Sequence, residues 1–157
     1  MKQQESGRSL VEIIGVLAIS AIMIASAYGI YRSVENRQNR LIASETLKDI
    51  AKKTKTLYEF SGYERVSIDQ LKEDGVLSNV NPPIGDSWDI KGIKYNSENY
   101  TMFVITLKNL SYDDCKYFII KKSDWAVSVT VGTIDTGQST DKECEQNSSN
   151  HVNFYVK

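Results

Sequence analysis

Ile13 to Ile30 reads IIGVLAISAIMIASAYGI, eighteen residues without a charge. Wound as a helix at 1.5 Å per residue, the run is roughly 27 Å long, close to the hydrocarbon thickness of a bilayer. The mean hydropathy of the whole chain is nonetheless −0.35. The remainder must therefore be polar, and the protein is bipartite. No proline occurs before Pro82, and the apolar run passes without a turn signal into RSVENRQNRLIASETLKDIAKKTKTLYEF. One helix is expected from Leu10 to about Phe60, roughly 75 Å in length. In its second half Leu47, Ile50, Ala51, Thr54, Leu57 and Tyr58 recur at three-and-four spacing, while Lys48, Lys52, Lys53 and Lys55 fall largely elsewhere. Such a stripe is a core face, so only this half is built to dock on a globular body.

The 157 residues carry 19 basic and 20 acidic side chains, a formal net charge of −1. With a pI near 5.9 and no stretch that is basic throughout, the field that holds a nucleic-acid backbone is missing, and no nucleic-acid partner is expected. One histidine, two cysteines and two prolines leave little material for a multi-ligand metal cage or a proline-rich fibre. An apolar content of 41% argues against wholesale disorder.

Three readings compete for Met1 to Tyr31: a cleaved secretory signal, a permanent single-pass anchor, or a helix trimmed at its cytoplasmic edge and later assembled. Ala25-Ser26-Ala27 before Tyr28 has the form of a signal cleavage site. Glu12 weighs against it, because a carboxylate near the start of an apolar run costs about 2.5 to 3.5 kcal/mol on insertion scales, and a discarded signal gains nothing from it. The useful question is which cation meets that acid. Arg8 lies four residues earlier on the same face and offers a local pair, although the base-first order opposes the helix dipole. Charge asymmetry does not set the orientation, since Lys2 and Arg8 on one side face Arg32, Arg37 and Arg40 on the other.

Gly7-Arg8-Ser9-Leu10-Val11-Glu12, preceded by the polar leader MKQQES and followed by the apolar helix, resembles the processing site of type IV pilins and pseudopilins. The resemblance implies that a prepilin peptidase cuts between Gly7 and Arg8. Arg8 then becomes the new N-terminus, usually methylated on its amine, and Glu12, fifth in the mature chain, attracts that amine on a neighbouring subunit. Oppositely charged groups in a low-dielectric helix bundle attract far more strongly than in water, so each buried charge disfavours the unassembled state. Arg8 stands where the family most often has phenylalanine, in the form of a pilin-like subgroup with arginine there. Gly15, Ala18, Ala21, Ala25 and Gly29 permit close helix packing.

Beyond the helix, Ser67-Ile68-Asp69-Gln70 has the form of a capping box and Gly75 closes a turn, so residues 67–74 read as a short helix. Asn81-Pro82-Pro83-Ile84-Gly85 is a loop. WDIKGIKY and YTMFVITL read as a hairpin turned at Asn96-Ser97-Glu98-Asn99. Ser111 with Asp114 caps a helix at about 111–122, followed by strands at Trp125 to Val131 and His151 to Val156. Helix first and antiparallel sheet second gives an α+β class: a long N-terminal helix, half membrane and half amphipathic, packed on a small antiparallel sheet, pilin-like in architecture.

Cys115 and Cys144 are either two free thiols or a disulfide closing a loop of about thirty residues, worth roughly 3 to 4 kcal/mol. The pilin resemblance implies the bond, since pilins commonly bound a C-terminal region in this way. A lone His151 in an alternating strand, no serine or cysteine with a base at fixed spacing, and no phosphate-cradling glycine loop or C-x-x-C pair point away from an enzyme, and no cofactor is expected. Asp135, Asp141 and Glu143 are weak calcium candidates in a loop, with spacing unlike that of a known oxygen cage. The domains expected are a leader at 1–7, a transmembrane and assembly helix at 8–31, and a pilin-like globular domain at 32–157. The implied partners are copies of the chain or other pilins, the prepilin peptidase, an inner-membrane assembly platform, and lipid before assembly. The implied location is the bacterial inner membrane, then the pilus, with the globular domain in the periplasm or outside. The other readings are a pseudopilin of a type II secretion or DNA-uptake machine, and a secreted or membrane-tethered binding domain.

Overall fold

A computed structural model describes residues 4–77, 81–95, 99–121, 123–135, 138–139, 143–146 and 149–157. The chain divides into two compact units, one ending at Gln38 and one running from Asn39 to Lys157. The helix α1, Gln4–Tyr58, contributes to both. Its uninterrupted course follows from the residues: no proline removes a hydrogen bond before position 82, and within the helix glycine occurs only at Gly7, Gly15 and Gly29.

In the second unit, Ala43, Leu47, Ile50, Ala51, Thr54 and Tyr58 of α1 are buried. Leu57, expected in that stripe, is exposed instead. At 100° per residue it falls about 70° from the centre of the buried arc, in the last turn before the chain leaves the helix. The helix α2, Ile68–Glu73, starts where Ser67 Oγ accepts from Gln70 N at 3.3 Å. Only half of the expected capping box forms, because the Gln70 amide reaches forward to Glu73 and Asp74 rather than back to residue 67. Gly75 takes φ +71°, and the Val76 and Leu77 amides close on Leu71 O, a C-cap that the left-handed glycine permits.

The main sheet has four strands in the order β1-β2-β6-β3, all neighbours antiparallel. They are β1 (Ser87–Tyr95), β2 (Asn99–Leu110), β3 (Ser128–Val131) and β6 (Asn150–Val156). A two-stranded ribbon, β4 (Ile134–Asp135) with β5 (Gln138–Ser139), was not expected from the sequence. Residues 96–98 of the expected hairpin turn lie outside the described residues. Gly85 holds the loop before β1 at φ +72°, where an added Cβ would meet Lys108 O at 2.5 Å. The strand expected from Trp125 begins only at Ser128. Trp125 is instead turned inward to stack on Phe154 at 5.3 Å between centroids, in a turn where Ala126 N donates to Ser123 O.

The pleat gives the sheet two different faces. Trp88, Ile90, Phe103, Ile105, Leu107, Val152, Phe154 and Val131 join the α1 stripe in one core. The other face carries the cross-strand row Asp89, Thr106, Asn153 and Thr130. There the Thr106 hydroxyl donates to Asn153 Oδ1 at 2.8 Å, and the Asn153 amide donates to Gly132 O at 2.7 Å. The helix α3, Tyr112–Ile120, lies against β3 and β6, with Phe118 edge-on to Phe154 at 5.6 Å. Cys115 is bonded to Cys144, their Cα atoms 6.0 Å apart.

Candidate functional site

The first unit is an apolar rod. Leu10, Val11, Ile13, Ile14, Val16, Leu17, Ile19, Ile22, Met23, Ile24 and Ile30 are all exposed, on a helix long and apolar enough to cross a membrane. Soluble surfaces do not carry a contiguous apolar patch of this extent unless lipid or another protein covers it. The two serines of the apolar run are satisfied locally, as an apolar surrounding demands. Ser20 Oγ donates to Val16 O and Ser26 Oγ to Ile22 O, each at 2.8 Å. At the far end of the apolar run, Arg32 Nε donates to the Tyr28 hydroxyl at 3.0 Å and its guanidinium lies over the same ring. With Tyr31 exposed beside it, this forms an aromatic and cationic collar of the kind found at membrane interfaces.

Gly7 and Arg8 are adjacent near the start of α1, and Glu12 follows about one turn later. Glu12 is exposed among exposed aliphatic neighbours. Gly15 and Gly29 leave open space, with nothing within 4 Å of an added Cβ.

The second unit is anchored by a contact that sequence reading missed. Arg40 Nε donates to Asp114 Oδ1 at 2.6 Å, with both side chains mostly buried. Ser111 Oγ donates to the other oxygen of Asp114 and accepts from its backbone N–H. The Arg40 guanidinium also lies over the Tyr117 ring. One carboxylate therefore both holds the Ser111 hydroxyl that caps α3 and fixes that helix to α1. The two partners are 74 residues apart, a spacing that leaves no local signal.

On the polar face of the sheet, a groove of about 360 Å³ is lined by Asp89, Lys91, Thr106, Lys108, Thr133 and His151. Burial and then the Lys108 cation push His151 below the usual imidazole range. Lys108 pairs with Asp89 at 3.0 Å, so the carboxylate is committed elsewhere, and His151 Nδ1 has no hydrogen-bond partner among the described residues. With Nδ1 unpartnered, the imidazole lacks the orienting acid of a catalytic His–carboxylate pair. Elsewhere in the unit, the Tyr58 hydroxyl donates to Asp74, and burial, reinforced by that bond, pushes Tyr58 up to about 12. Of the calcium candidates, Asp135 lies in β4, Glu143 is exposed, and Asp141 lies outside the described residues. Among the described residues no three His, Cys, Asp or Glu side chains are grouped to hold a metal.

No family model matches the chain, and no curated protein matches it by sequence. Its structure does match solved ones. One is TcpA, a type IV pilin from Vibrio cholerae El Tor biotype, with a TM-score of 0.61 over 76% of this chain and 99% of that chain, at 16% identity. The fold is that of a type IV pilin. In this chain that fold is built from the long helix α1, its second half packed on a four-stranded antiparallel sheet. At this identity the likeness speaks for architecture, and roles for individual residues need separate support.

Proposed function

We propose that the chain is a structural subunit, major or minor, of a type IV pilus-like filament, and not an enzyme. The leader 1–7 is removed by a prepilin peptidase between Gly7 and Arg8. The segment 8–31 holds the subunit in the inner membrane, and the domain 32–157 folds outside it, stapled by Cys115–Cys144. An assembly platform then transfers the apolar helix from lipid into a bundle of identical or related helices. Glu12 guides that step by pairing with the amine of Arg8 on a neighbouring copy, while the Arg8 side chain snorkels toward the headgroups. Before assembly the carboxylate lacks this partner, and packing supplies it in a medium of low dielectric.

The observation that carries the reading is the run of exposed apolar side chains from Leu10 to Ile30, on the same helix α1 whose second half forms the core of a pilin fold. Intact-mass measurement of the chain purified from membranes tests it. The expected N-terminus is Arg8. An N-terminus at Tyr28 would identify a secretory signal instead, and a chain still starting at Met1 would identify a permanent tether.

A further inference from the structure

Between Glu12 and Arg32 lie nineteen residues without a charge. The two ends of that stretch are built differently. At one end Tyr28, Tyr31 and Arg32 fall within an arc of about 100° on one side of α1, and all three are exposed. Arg32 Nε donates to the Tyr28 hydroxyl at 3.0 Å, and the guanidinium lies 5.4 Å from the ring centroid. This leaves the N–H groups of both terminal nitrogens for phosphate oxygens, which match a guanidinium's planar fork. Glu35 and Arg37 follow further along the helix, beyond the level of the rings. The other end has no such device, for residues 1–27 contain no phenylalanine, tyrosine or tryptophan. Spanning helices carry tyrosine and tryptophan at both membrane interfaces. Here rings and a cation at one end face an acid at the other.

The distance between those ends matches a bilayer. Twenty residues of helix rise roughly 30 Å, and the hydrocarbon core is about 30 Å thick. With Arg32 at one edge of the hydrocarbon, Glu12 arrives at the opposite edge, and Arg8, about 6 Å further on, arrives among the headgroups. An acid at the edge stays hydrated and escapes the cost that a charge carries at the middle of a bilayer. Sliding of the rod would draw Glu12 into hydrocarbon, and only the Tyr28 and Arg32 end carries the amphipathic rings that resist sliding.

We propose that Tyr28 and Arg32 are positioning residues: they grip the outer headgroup layer of a phospholipid bilayer and so hold Glu12 of the unassembled subunit at the inner edge of the hydrocarbon, within reach of a neighbour's amine. This rests on the membrane insertion proposed above.

The test measures depth at both ends of the rod. The full chain carries a nitroxide label on either Ile13→Cys or Ala27→Cys; Cys115 and Cys144 are bonded to each other and take no label. It is reconstituted in vesicles of phosphatidylcholine and phosphatidylglycerol whose hydrocarbon is thickened from about 27 to about 33 Å, and collisions with oxygen and a nickel chelate report label depth. The Ala27 label should keep its depth, while the Ile13 label sinks by about 6 Å, the whole of the added thickness. With Tyr28→Leu and Arg32→Leu together, the two labels should share the change. Tyr28→Trp with Arg32→Lys should restore the wild-type pattern, since ring and cation are kept. An Ala27 label that sinks as far as the Ile13 label in the wild-type chain, or a leucine variant that behaves as the wild type does, overturns the anchor and leaves insertion standing. Labels that both stay in water overturn insertion as well.

Discussion

The two stretches of α1 are one helix by backbone and two by chemistry. Leu17 and Leu47 are the same residue on the same element, yet Leu17 is 63% exposed and Leu47 fully buried. Leu47 is part of a stripe whose partners, Ile105 and Phe154 among them, belong to its own chain. Leu17 belongs to an apolar surface that goes all the way round, and its partners must come from outside. A hydrophobic residue thus reports where its partner is only when the width of the apolar face around it is read as well. Exposed hydroxyls fold back on their own helix in both stretches, Ser20 and Ser26 in the first and Thr46 and Thr56 in the second, while the second stretch also sends Arg40 across to Asp114.

The sharpest way to break this contrast is to truncate both leucines and follow unfolding of the full chain in detergent. Leu47→Ala should cost about 2 to 5 kcal/mol, the range for a buried leucine, and Leu17→Ala less than about 0.5 kcal/mol. Equal costs would remove the distinction. Replacing Cys115 and Cys144 together by serine should cost roughly 3 to 4 kcal/mol, since the bond closes a loop of 29 residues. The loss should fall on the second unit alone, leaving the helical circular-dichroism signal of the first unit unchanged under conditions where near-ultraviolet signals from Trp88 and Trp125 disappear.

A smaller effect concerns the end of the docked half. Tyr58→Phe removes the hydroxyl that donates to Asp74 and should cost about 1 kcal/mol, a typical net value for one hydrogen bond to an exposed partner. The pH dependence has a definite sign. Folding raises Tyr58 from 10.0 to about 12, so its contribution is complete below pH 10 and is lost as pH rises from there through 12. Denaturant titrations across that range should show a steeper alkaline loss for the wild type than for Tyr58→Phe. Smallest of all, Thr54 Oγ1 is buried without a hydrogen-bond partner among the described residues. Thr54→Val keeps the shape and removes the unmet hydroxyl, so stability should rise by up to about 1 kcal/mol; a decrease would mean that the hydroxyl has a partner.

Much of this architecture was legible in the residues, for reasons that also explain what was not. The long helix, the hairpin strands and both short helices are local matters of periodicity, capping and turn chemistry, and they formed within a few residues of expectation. Leu57 was misplaced because a three-and-four pattern does not say how wide the covered arc is. Trp125 was read as strand because alternation cannot distinguish a side chain standing on a sheet from one turned in to stack on Phe154. The β4–β5 ribbon escaped notice because two-residue strands carry no period. Arg40 and Asp114 meet only through the tertiary fold. Gly7, Arg8 and Glu12 are legible as a motif, but the chemistry proposed for them lies between copies, where a single chain does not display it.

The most direct measurement compares filament yield with monomer folding for Glu12→Ala. The mature chain should still be trimmed at Arg8, and its second unit should melt as the wild type does. Filament yield should nevertheless fall by roughly tenfold or more, since a charge left unpaired in a low-dielectric bundle costs about 3 to 5 kcal/mol. Filaments assembling at the wild-type yield would contradict the account, because the acid in the apolar rod would then have no counter-charge to find on a neighbour.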